Sequence, residues 1–180
     1  AENVAWPGLR EYQKLRICTL LDPMRDPLGA GFHTLQSITA VGSGGIFGKG
    51  WLQGTQTQLA FIPERSTDFV FSGYAEEFGF FGSLLLILLY AGITLRGLWI
   101  SIGAPTDFAR LLGGTLSMMT FTYACVNIGM VTGVLPVVGV PLPWVSYGGT
   151  ALITLGLGVG LLMSIGQDRS ETTQGFSLQK

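Results

Sequence analysis

From Leu111 to Gln167 the chain carries no Asp, Glu, Lys, Arg or His, a run of 57 residues. A helix that crosses a bilayer needs about 20 mainly apolar residues, so this run holds two spans and a connection. Pro136, Pro141 and Pro143 cannot continue a helix and mark the connection. The reading is a span near 108–132, a Pro- and Gly-rich turn over 133–149, and a span near 150–166. A second gap, Phe78 to Leu95, is also free of charge and would rise about 27 Å as a helix, close to the hydrocarbon thickness of roughly 30 Å. It predicts a further span near 74–97. Composition agrees: 12% of residues are charged, about half of the roughly 25% usual in soluble domains, and the mean hydropathy is +0.48. The predicted class is an all-α integral membrane protein with three transmembrane helices in this chain.

Residues 1–67 differ, holding six of the ten Lys and Arg residues, and read as extramembrane or laid along the interface. Pro7 can open a helix with Leu9, Tyr12 and Leu15 on one face, ended by Asp22-Pro23. Phe32, Leu35 and Ile38 recur every three residues and predict a second short helix ending at Gly42. Arg96 and Arg110 flank the turn between the first two spans, and Arg169 and Lys180 follow the last. Long segments translocate largely regardless of charge, so this bias alone does not orient the chain.

Several chemistries are excluded. Ten Lys and Arg against eleven acids leave no basic footprint for nucleic acid. A single histidine, His33, cannot build a Ser-His-Asp arrangement or a His-based zinc site. Cys18 and Cys125 are too few for a disulfide framework and read as packing residues. The start, Ala1-Glu2-Asn3, shows neither an initiator Met nor a leader, and suggests a piece of a longer chain. Gly42-Ser43-Gly44-Gly45-Ile46-Phe47-Gly48-Lys49-Gly50 is not a phosphate loop, because Ser43 stands where the first glycine is needed and Gly50 where a magnesium-binding hydroxyl belongs. It reads as a tight loop that brings backbone close to the membrane or a ligand, or as a nest of N–H donors that, with Lys49, receives an anionic head group.

Two segments carry candidate function. Asp68, in Phe61-Ile62-Pro63-Glu64-Arg65-Ser66-Thr67-Asp68-Phe69, is placed either to cap the first spanning helix or to act as a partly desolvated base or metal ligand. Asn127, Ser146, Tyr147 and Thr150 are polar groups at or near membrane depth, beside irregular backbone at Pro136-x-x-Gly139-x-Pro141-x-Pro143. Such backbone must be buried in protein or line a wet cavity. Either a tightly packed hairpin or a cavity satisfies that requirement.

At these residues the sequence resembles the SEDS family of shape, elongation, division and sporulation proteins. The likeness rests on Phe61 to Phe71 with Glu76-Glu77-Phe78-Gly79, and on Asn127 with Gly133 to Thr150. Asp26 to Gly31 and Gly48-Lys49-Gly50-Trp51-x-x-Gly54-Thr55-Gln56 extend it over about residues 9–166. Gly54-Thr55-Gln56 and Arg65 are closer to the RodA-like, rod-elongation branch. The family's usual histidine before Thr-Asp is Ser66 here. The resemblance implies the C-terminal part of a bundle of about ten helices in the bacterial cytoplasmic membrane. Residues 1–67 would form an extracytoplasmic loop with short amphipathic helices, residues 68–166 the bundle, and residues 167–180 a cytoplasmic tail.

The resemblance further implies a peptidoglycan glycosyltransferase acting on lipid II, in which the acceptor 4-hydroxyl attacks the donor anomeric carbon and undecaprenyl diphosphate leaves. Asp68 is then the essential acid, able to take the hydroxyl proton. Lys49, Arg65 or a divalent cation, Mg²⁺ or Mn²⁺ with Asp68 as a ligand, would meet the leaving-group charge, and Thr67, Ser146 and Tyr147 would contact substrate. Implied partners are lipid II, membrane lipid and a class B penicillin-binding protein. A flippase for the lipid-linked precursor and a non-catalytic scaffold are the alternatives.

Overall fold

The uncharged stretches coil into helices because no water is present in the hydrocarbon layer to satisfy free peptide groups. The computed structural model describes residues 30–54 and 67–177. Four helices order them: α1 (Ala30–Ser43), α2 (Val70–Ile102), α3 (Asp107–Val131) and α4 (Gly149–Ser177). No strand forms among the described residues. Helices α2, α3 and the Gly149–Gln167 part of α4 are each long and apolar enough to cross a membrane, as the all-α membrane class requires. The protein is a multi-pass membrane protein. Helix α1 is the short helix expected from Phe32, Leu35 and Ile38, and the helix expected after Pro7 lies outside the described residues.

The connection between α2 and α3 is four residues long, and Thr106 starts α3 by accepting a hydrogen bond from the Ala109 amide at 3.2 Å. So short a link makes the two helices antiparallel neighbours. Their seam is built from small residues: a Cβ at Gly97 would strike the Ser117 hydroxyl, and one at Gly113 the Ser101 hydroxyl. Gly97-x-x-x-Ser101 thus faces Gly113-x-x-x-Ser117, the close approach that membrane helices use where water provides no driving force. Both hydroxyls are satisfied within their own helix, Ser101 Oγ donating to Gly97 O and Ser117 Oγ to Gly113 O, each at 2.8 Å. Leu162 of α4 leans on the same seam. Cys125 is exposed on α3 rather than packed inside, its face of the helix meeting no neighbour among the described residues.

Helix α2 is broken at Gly79, whose φ of 65° and ψ of −158° are non-helical. This region of backbone space is almost exclusive to glycine. The segment after the break, Phe80 to Ile102, has 23 residues and rises about 35 Å, enough to span the bilayer by itself. The break frees peptide groups, and the 44–50 loop takes them up. Phe80 N donates to Gly45 O (2.9 Å) and Phe81 N to Ile46 O (3.3 Å), while Lys49 N and Gly50 N donate to Glu76 O and Glu77 O, both at 3.1 Å. The two backbones cross so closely that a Cβ at Gly44, Gly48 or Gly79 would overlap main-chain atoms of the other segment. The glycine-rich loop therefore approaches the backbone of α2, and the Lys49 and Gly50 N–H groups are spent on its carbonyls rather than offered to an anion.

Candidate active site

Thr67 and Asp68 lead directly into α2. The N-cap of that helix is Phe69, which brings no side-chain cap; the Ser72 hydroxyl donates back to Phe69 O at 2.7 Å. Asp68 stands one residue before the cap position, which corrects the expectation that it caps the helix. Its side chain is half-buried. A Cβ built on Gly139 would lie 3.2 Å from Asp68 Oδ2, so the Pro-rich connection between α3 and α4 forms one wall beside the carboxylate.

That connection is drawn into the protein. Leu142, Pro143 and Ser146 are buried, and the Tyr90 hydroxyl of α2 donates to Pro143 O. Tyr90 lies eleven residues, about 16 Å of helix, beyond the break at Gly79. The loop therefore reaches membrane depth, and its peptide groups find partners there. Val138 N donates to Met130 Sδ at 3.0 Å, and Ser146 N to Leu142 O at 3.0 Å. Trp144 is held at a φ of 65°, a strained setting for a bulky side chain.

Two side chains join this loop to the acid segment. The Ser146 hydroxyl donates to Thr67 O. The Asn127 amide, fully buried on α3, donates to Asp68 O at 2.8 Å and to Val140 O at 2.7 Å. Of the candidate residues named from sequence, Thr67, Asp68 and Ser146 are thus brought together. Tyr147 follows at the rim and is 83% exposed. Lys49 is drawn to the break of α2, where its ammonium pairs with Glu76 Oε1 at 2.8 Å, the Glu76 side chain being fully buried. Arg65 lies outside the described residues.

Glu76 and Tyr90 carry structural roles that composition did not single out, because their partners lie 27 and 53 residues away. Among the described residues no group of three or more His, Cys, Asp or Glu side chains could hold a metal ion. An apolar groove of about 470 Å³ between α2 and α4, running from Leu88 to Ile100 past Arg96, contains no carboxylate and is not where proton transfer can occur.

A family profile of cell cycle proteins, FtsW/RodA/SpoVE, matches residues 3–171. Peptidoglycan glycosyltransferase MrdB of Escherichia coli (strain K12) is 58% identical over 157 residues, 87% of this chain and 42% of that protein. Peptidoglycan glycosyltransferase RodA of Treponema pallidum (strain Nichols) is 44% identical over 158 residues, 87% of this chain and 36% of that protein. A solved chain from a peptidoglycan synthase complex, described for its structural coordination of polymerization and crosslinking, aligns with a TM-score of 0.73 at 34% identity over 92% of this chain and 45% of its own. The chain spans less than half the length of each of these relatives.

Proposed function

Because the chain belongs to the FtsW/RodA/SpoVE family of cell cycle proteins, we propose that it is the acid-bearing C-terminal part of a peptidoglycan glycosyltransferase that polymerises lipid II during cell elongation. The observation that carries this reading is a half-buried carboxylate, Asp68, fixed by its main chain to an inward-drawn loop at membrane depth. A sugar hydroxyl is too weakly acidic to attack an anomeric carbon unaided. A positioned carboxylate takes its proton as the new glycosidic bond forms. Diphosphate leaves readily, so the second, protonated carboxyl group of a glycosidase is not required.

A membrane orientation belongs to the same proposal. Arg96 and Arg110 flank the α2–α3 turn and Arg169 follows the last span, whereas the 132–148 connection has no Lys or Arg. Helix order puts the turn and the tail at one end of the bundle and Asp68 with the 132–148 connection at the other. On this proposal the Arg-flanked end is cytoplasmic and Asp68, with the long segment before it that can translocate largely regardless of its charge, is extracytoplasmic, where the lipid-linked sugars would be. The membrane would be the bacterial cytoplasmic membrane. A class B penicillin-binding protein is the proposed partner, in keeping with the synthase complex that the fold matches.

The test uses a full-length family protein carrying this chain as its C-terminal part, reconstituted in proteoliposomes with lipid II. Asp68→Asn should insert normally and make no glycan. Polymerisation at the unsubstituted rate would remove Asp68 from the chemistry, and movement of labelled precursor across the bilayer without polymer would establish a transporter instead.

A further inference from the structure

We propose that Asn127 is a positioning residue for the reaction, clamping the acid segment to the loop that walls it. This rests on the reading of Asp68 as the base. The side-chain amide has two N–H donors, and both are used: one to Asp68 O at 2.8 Å, the other to Val140 O at 2.7 Å. The first joins residues 59 apart in sequence and the second residues 13 apart. The amide thus ties three segments together at one point: α3, the entry to α2 and the α3–α4 connection.

The orientation of the amide follows from its partners. Turned over, it would set its oxygen against two carbonyl oxygens. In the observed orientation Asn127 Oδ1 is the buried side-chain atom that lacks a hydrogen-bond partner among the described residues. An acceptor left without a donor in a fully buried position is not what packing alone selects. It is the consequence of spending both donors on the two main-chain carbonyls. A leucine would fill the same space without the orphaned oxygen but would leave Asp68 O and Val140 O without these donors, and an aspartate would bring acceptors where donors are needed. Only the amide has the two hydrogens.

The clamp sets the geometry of the acid. Val140 adjoins Gly139, whose added Cβ would stand 3.2 Å from Asp68 Oδ2. Holding Asp68 O and Val140 O on one planar group therefore fixes the main chain that carries the carboxylate relative to the wall beside it. The Ser146 hydroxyl makes a parallel contact to Thr67 O. A base displaced by a fraction of an ångström loses rate without necessarily losing affinity for substrate, because the acceptor is bound by other groups.

The experiment compares Asn127→Leu and Asn127→Asp with the unsubstituted full-length protein in steady-state lipid II polymerisation, alongside thermal unfolding of each purified variant. The expected result is a fall in kcat on the order of 100-fold with KM for lipid II within about threefold, in a variant that still unfolds cooperatively. A folded variant with kcat within threefold of the unsubstituted protein overturns the assignment. So does a rise in KM that accounts for the whole loss, or failure of both variants to fold, which would make Asn127 a structural residue only. Asp68→Asn is measured in the same series. An inactive Asp68→Asn beside an active Asn127→Leu overturns the clamp alone, whereas an active Asp68→Asn overturns the base on which it rests.

Discussion

Replacing Gly79 by Ala tests whether the break in α2 depends on the loop that crosses it. The substitution asks an L-residue to hold φ 65° and ψ −158°, at a cost of about 1–3 kcal/mol. It also inserts a Cβ 2.9 Å from Ile46 O and 2.9 Å from the Phe47 carbonyl carbon, and closer still to the Gly48 nitrogen. All three are main-chain atoms that cannot rotate aside. The alternative is to release the loop, giving up the hydrogen bonds donated by Lys49 N, Gly50 N, Phe80 N and Phe81 N. At about 1 kcal/mol each these amount to about 4 kcal/mol. Strain and overlap together approach that figure, so the docked state should lose about 3 kcal/mol relative to an undocked loop. Hydrogen exchange of the protein in nanodiscs reads this directly: protection of the Lys49, Gly50, Phe80 and Phe81 amides should fall on the order of 100-fold. Gly92→Ala is the control, since nothing lies within 4 Å of a Cβ there and helix propensity favours it by up to about 1 kcal/mol. If Gly79→Ala leaves those four amides within threefold of their original protection, the loop does not lock the break and the reasoning fails.

Three further outcomes follow from the same geometry. Lys49→Met should destabilise the folded protein by about 3 kcal/mol, because it leaves the fully buried Glu76 carboxylate without its ammonium, whereas Glu76→Gln should cost about 1 kcal/mol since Lys49 can turn to water; equal losses in denaturant unfolding would contradict a buried pair. Gly139→Ala, which combines a φ of 83° with a Cβ 3.2 Å from Asp68 Oδ2, should lower kcat about tenfold by pushing the carboxylate aside, and an unchanged kcat would show that this wall does not set the acid's position. Phe47, Trp51, Phe80 and Phe81 are all more than half exposed beside the break, so with the other three tryptophans replaced by Phe, Trp51 fluorescence should be quenched by a nitroxide near the top of the acyl chain; quenching by iodide in its place would put the loop in water.

The spans were legible because a charge inside the hydrocarbon layer is expensive, and the gaps at Phe78–Leu95 and Leu111–Gln167 therefore show in the sequence alone. The break at Gly79 was not. The residues flanking it are apolar and continue the helical pattern, and the reason for the break is a loop some 30 residues upstream whose N–H groups fit the freed carbonyls. The Asp68 cap failed for a related reason. Asp68 fits an N-cap by residue type, but the chain turns into helix one residue later, at Phe69, because the main chain of Asp68 is held from the side by Asn127. Asn127 itself was visible as a polar residue inside an uncharged run. Its role was not, since its two acceptors are main-chain carbonyls, which any residue type supplies and no motif records.

Lipid also explains why acid and loop share the same fastenings. An unsatisfied peptide group costs several kcal/mol at membrane depth, so the irregular backbone over 132–148 can persist only where helices present side-chain donors and acceptors to it. Tyr90, Asn127 and Met130 do so from α2 and α3. One of these, Asn127, spends its second donor on the acid segment. The fastening that makes an irregular loop tolerable in the bilayer is thereby the same one that fixes Asp68. Loosening it should degrade loop order and base geometry together, whereas truncating Tyr90, whose hydroxyl holds the loop at Pro143 O, should degrade loop order first. Tyr90→Phe and Asn127→Leu compared for exchange over 132–148 and for kcat should therefore separate: similar gains in exchange, but a much larger loss of rate in Asn127→Leu.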